Sequence, residues 1–151
     1  MEYSHSDEEL LTQPIGYWST TAGNAVVTAI REGLAPFGVT QPQWWILGQL
    51  ATGENGRSRD EVLSVLWGYL DVGEALVPEM DALLDRGLIT PDAEGRLHLT
   101  AEGDELFQKC ASFQRSMRER VHKDITNEEY VVTLKVLQRM IHNVGAKAWH
   151  H

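Results

Sequence analysis

Three arginines carry the most readable chemistry in this chain. Arg57 and Arg59 flank Ser58 at the start of a short amphipathic stretch, and a helix amino terminus favours anions through its unpaired amides and its dipole. Arg96 follows Gly95 in a turn between two short runs that read as strands, so it stands beside the tip of a hairpin. Cations in these settings suit phosphate oxygens. Solvated surface charge is the competing reading. A further basic set, Lys109, Arg115, Arg118, Arg120 and Lys123, reads as the exposed face of one helix.

The tryptophans suggest a second kind of site. Trp18, Trp44 and Trp45 offer broad apolar contact and one indole donor each, which suits an aromatic ligand carrying a polar group. Filling a core is the competing reading for them. Cys110 lies in an apolar stripe with Leu106 and Phe113, the setting of a buried inert thiol and not of a reactive thiolate. His5, His98, His122, His142, His150 and His151 show no metal-ligand spacing. Glycine-rich phosphate loops, a nucleophile elbow and a metalloprotease helix motif are all missing. Glu128 and Glu129 are adjacent carboxylates, but they fall in a first helical turn, where the dipole favours acids. Neither an enzyme nor a bound cofactor or metal is expected.

Composition narrows the classes further. A chain of 151 residues suits one domain with a substantial core. A single cysteine excludes an internal disulfide framework and suits a reducing compartment. No apolar run approaches the roughly 20 residues of a membrane span, and Asp7, Glu8 and Glu9 stand where a signal peptide needs basic residues. A cytoplasmic protein is expected, with no membrane partner. Its net charge of −9 counts against a generic nucleic-acid binder, whose footprint is usually basic.

The elements that position these residues are marked by their amino-terminal caps. Thr40 with Gln43, Ser58 with Glu61, Asp71 with Glu74 and Thr126 with Glu129 each have capping-box spacing, and Thr100 marks a fifth start. Apolar residues recur at helical spacing between them, as in Ile15, Trp18, Ala22, Ala25 and Ala29, or Leu134, Leu137, Ile141 and Val144. Helices are expected over about 14–34, 41–52, 59–67, 72–86, 101–121 and 127–145. Gly87 ends the fourth, and the alternation in Leu88 to Thr90 and Arg96 to Thr100 predicts a short β-hairpin.

Three short helices followed by a hairpin, with long helices at both ends, give a mainly α fold: a winged helix-turn-helix on a helical dimerisation frame. In this arrangement, Thr40-Gln41-Pro42-Gln43-Trp44-Trp45-Ile46-Leu47, Glu61-Val62-Leu63, Leu83-Leu84-Asp85-Arg86-Gly87-Leu88-Ile89 and Leu99-Thr100-Ala101-Glu102-Gly103 together resemble the MarR family of transcription regulators. The resemblance runs from about residue 15 to 145. It implies one domain over 1–151, with dimerisation helices at about 14–34 and 101–145 around a winged core at about 40–100. It also implies a ligand-responsive homodimer that binds double-stranded DNA. Arg57, Arg59, Gly73, Glu74, Val77 and Arg96 would lie at the DNA, and Trp18, Trp44 and Trp45 at a pocket for a small aromatic ligand.

The departures fall on the fourth helix. Residues 71–86 hold five carboxylates against Arg86 alone, a net −4 where phosphates would approach. Pro78 is expected to kink that helix. These features point to an alternative, a divergent relative that has lost operator binding and works through protein or small-molecule contacts.

Overall fold

The computed structural model describes residues 2–68 and 75–148. A short helix α1 (Asp7–Leu10) precedes α2 (Ile15–Leu34), a 3-10 turn (Ala35–Phe37), α3 (Gln41–Ala51), α4 (Arg59–Leu66) and α5 (Leu76–Asp85). Then come β1 (Ile89–Pro91), β2 (Leu97–Leu99), α6 (Ala101–Val121) and α7 (Asn127–Asn143).

The capping chemistry explains these starts. The hydroxyls of Thr40, Ser58 and Thr126 accept from the amides of Gln43, Glu61 and Glu129, and each of those side chains returns to the cap's own N–H. Thr100 accepts from the Gly103 amide in the same way. Ser6 and Glu9 form one more capping box, which starts α1 and was not among the expected elements. The expected box at Asp71 and Glu74 lies outside the described residues. Pro78 does not kink α5: the described helix begins at Leu76, so Pro78 occupies the first turn, where an amide has no intrahelical acceptor.

The end of α5 is set by Gly87, whose φ of +66° L side chains rarely adopt. Its amide reaches the Leu84 carbonyl at 2.9 Å and that of Leu88 reaches Leu83 at 3.0 Å, the paired bonds of a Schellman end. The chain then enters an antiparallel hairpin in which Ile89 faces Leu99 and Pro91 faces Leu97. Arg57 adds a third rung, its backbone exchanging bonds with Leu97 at 3.1 and 2.8 Å. That rung ties the loop before α4 to the wing.

One core holds α3 to α6 together. Leu34, Ile46, Leu47, Val62, Leu66, Leu76, Met80, Leu83, Ile89, Leu97 and Cys110 are buried in it. Two glycines allow close approach: a Cβ on Gly33 would meet the Phe113 ring at 1.8 Å, and one on Gly103 the Leu88 carbonyl oxygen at 1.9 Å. The outer helices are different. Only Leu34 of α2 is buried, and no residue of α7 is.

Acid should loosen this fold through its caps. The Ser58 and Thr126 N–H groups hold the Glu61 and Glu129 carboxyls below their usual range, and a hydrogen bond from His98 does the same for Asp92. A depressed folded value stabilises above the unfolded pKa, and that contribution is lost as pH falls through the folded one. The thermal midpoint should therefore drop below about pH 4. Glu129→Gln should lower the midpoint at pH 7 and flatten its fall in acid. An equal fall in both proteins would refute the role of that cap.

Candidate functional site

The expected DNA-facing cations are all engaged within the fold. Arg59, at the first position of α4, pairs with Asp81 on α5. Arg57 donates from Nε to the Gln49 carbonyl at 2.9 Å. Arg96 donates to the Asn55 and Gly56 carbonyls, both at 2.8 Å, and to Glu61 at 3.1 Å. Arg96 thus fastens the wing to the loop before α4. Val77 is half-exposed near the start of α5. Gly73 and Glu74 lie outside the described residues.

The hairpin tip is held by one carboxylate. Asp92 accepts from the Glu94 and Arg96 amides at 3.0 and 2.8 Å and pairs with His98 at 2.8 Å. His98 is 37% exposed and Asp92 30%, so the pair is open to water.

A polar strut orients α5 from behind. The Gln43 amide nitrogen donates to Glu79 at 2.7 Å, while its oxygen accepts from Arg86 at 3.2 Å. Arg86 also donates to the Gly38 carbonyl at 2.8 Å. On the other side of α3, Arg31 donates to the Gln41 amide oxygen at 3.1 Å, tying in α2. Gln41 and Gln43 are both buried, so these bonds meet their hydrogen-bonding need. Sequence reading assigned Gln43 to a capping box and missed its second task. Its partner Glu79 lies 36 residues away, beyond any local pattern.

The expected aromatic site divides in two. Trp18, 37% exposed, lies on an apolar groove of about 870 Å³ between α2, α6 and α7, walled by Val26, Ile30, Met117, Val121 and Leu134. Trp44 stacks on Phe107, with centroids 5.1 Å apart and planes 13° off parallel, and Trp45 packs against the core. Neither is among the groove residues. The groove also holds polar groups that sequence reading passed over. The Gln114 amide nitrogen is buried there without a partner among the described residues. At its edge, the Arg118 guanidinium lies 5.7 Å from the Tyr130 ring centroid, and the His122 ring stands 4.5 Å from that centroid.

Burial pushes the Cys110 thiol up, away from reactive thiolate. Among the described residues, no cluster of three or more His, Cys, Asp or Glu could hold a metal ion, and no helix is long and apolar enough to cross a membrane.

No family model matches the sequence, and no curated protein matches it. Solved structures do. CouR from Rhodococcus jostii, bound to p-coumaroyl-CoA, superposes with a TM-score of 0.69 at 21% identity, over 86% of this chain and 93% of that one. A MarR family protein of Mycobacterium tuberculosis in complex with DNA gives 0.65 at 22% identity, over 85% and 98%. A MarR family transcriptional regulator from a Rhodococcus species gives 0.68 at 20%, over 91% and 97%. The expected fold class holds: this mainly helical chain with a hairpin wing has the winged helix-turn-helix fold of MarR-family transcriptional regulators.

Proposed function

We propose that this chain is a cytoplasmic, homodimeric transcription regulator of MarR type that binds duplex DNA and responds to a small apolar ligand. The observation that carries the reading is the superposition over at least 85% of the chain on structures that include a DNA complex and a ligand complex. In this reading residues 1–151 form one domain, 14–34 and 101–145 are its dimerisation helices, and 40–100 its winged core. The dimer is supported by the unburied α7 and by the groove beside it, whose apolar walls a protomer leaves to water. Ligand response is supported by Trp18 and the unpartnered Gln114 amide in the same groove. A ligand acts on DNA affinity only if it prefers one spacing of the two α5 helices over the other.

Fluorescence anisotropy with duplex DNA from the region upstream of its own gene tests the main reading. Because Arg57, Arg59 and Arg96 are engaged internally, binding should be weak and the salt dependence shallow. Each neutralised phosphate contributes about −0.9 to the slope of log affinity against log salt, so two to four contacts give an expected slope of roughly −2 to −4. A slope near that of ten contacts would overturn the account of the arginines. Quenching of Trp18 by a panel of phenolic acids, lost in Trp18→Phe, tests the ligand.

A second reading has its own support. The pairing of Arg59 and Arg96 with carboxylates leaves an acidic surface on α4 and α5, as expected of a relative that has given up DNA. Absence of duplex binding at any salt, with a ligand still bound, would favour it.

A further inference from the structure

The arginines and their carboxylate partners form a pattern of their own. Arg59 is the first residue of α4, and its partner Asp81 sits on α5, 22 residues further on. Arg96 belongs to the wing, and its carboxylate partner Glu61 lies at the third position of α4. Both cations therefore stand on the segments a winged helix offers to a polyanion, and both are matched by acids from neighbouring segments.

These pairs lie open to solvent. The side chains of Arg59 and Asp81 are 39% and 52% exposed, and those of Arg96 and Glu61 are 35% and 49% exposed. An exposed pair contributes little net free energy, so a phosphate in the same place competes with the carboxylate on nearly equal terms. The two arginines are otherwise held differently. Arg96 keeps two backbone carbonyl acceptors besides Glu61, whereas Asp81 is the one side-chain partner of the Arg59 guanidinium among the described residues.

We propose that Asp81 is an autoinhibitory latch: it occupies Arg59 and thereby lowers the affinity of the winged core for polyanions. The inference deepens the DNA reading and rests on it for the identity of the polyanion. The latch itself is a statement about Arg59 and is read with any polyanion. Opening it frees one cation at the start of α4. A carboxylate that would otherwise repel the incoming phosphate is removed at the same time.

The test compares Asp81→Ala with Asp85→Ala, which removes the same charge from the same helix, and with the double variant Arg59→Ala/Asp81→Ala. Each is run on a heparin column and titrated into a 30-base-pair duplex, at about 50 mM salt, where screening is modest. Circular dichroism checks that each variant is folded. Asp81→Ala should elute from heparin at higher salt, bind duplex roughly fivefold tighter and steepen the salt slope by about 0.9. Asp85→Ala should do much less, and the double variant should lose the gain. Later elution from heparin with no duplex binding by any variant would keep the latch and sink the DNA reading. Unchanged elution of folded Asp81→Ala would overturn the latch, as would a gain that survives in the double variant or is matched by Asp85→Ala.

Discussion

In the proposed homodimer, Leu134→Glu is expected to convert a species of about twice 17.0 kDa into a 17.0 kDa one, or into one that does not fold. Leu134 walls the apolar groove and is 40% exposed in the protomer. On an isolated protomer a carboxylate there keeps its water, and the substitution is nearly silent. Inside a closed interface the same carboxylate is stripped of water with no partner, at a cost of several kcal/mol. Taking about 3 kcal/mol as a lower figure, the dimer weakens more than a hundredfold. Light scattering at micromolar concentration separates the cases. A Leu134→Glu protein that remains dimeric with an unchanged melting temperature would show that this face is not the interface.

Gly103→Ala should be a severely damaging single methyl. The added carbon would lie 1.9 Å from the Leu88 carbonyl oxygen and 2.9 Å from its carbon, both backbone atoms. That oxygen accepts from the Thr100 amide at 3.1 Å, and the Thr100 hydroxyl in turn donates to the Gly87 carbonyl at 2.8 Å. Relieving the clash means moving β1 away from α6 and pulling apart the junction that launches the long helix. Overpacking of this kind costs about 3 kcal/mol or more, which for a chain of this size lowers the melting temperature by roughly 10 °C. Gly48→Ala is the contrasting case. Its new methyl would meet only the Phe107 ring at 3.9 Å, ordinary contact distance, so helix propensity should stabilise that variant by up to about 1 kcal/mol. Equal midpoints for the two variants would contradict the packing described for the wing.

The legible parts of the chain were those with local causes. α6 began and ended where expected because Thr100 caps it and the apolar stripe breaks after Val121. α3 and α4 ended within one residue of expectation for similar reasons. The Ser6 box was equally local, yet no apolar periodicity follows it to draw notice, and α1 spans a single turn. The site was harder to read because its decisive facts are distant pairings. Nothing near Arg59 indicates that Asp81 will face it, and nothing near Gln43 indicates Glu79. The tryptophans separated for a related reason: Trp18 lies on α2 beside the groove, whereas Trp44 and Trp45 belong to α3, inside the winged core.

A helix with no fully buried residue in its own protomer would, in the proposed homodimer, make stability a matter of abundance. In a dimer closed over α7, two chains fold into one particle, so every tenfold dilution removes about 1.4 kcal/mol from the folded state. The melting temperature should climb with protein concentration. Scarce chains would lie open to proteases that spare plentiful ones, so the cell would meter this protein through its own mass action, with no ligand involved.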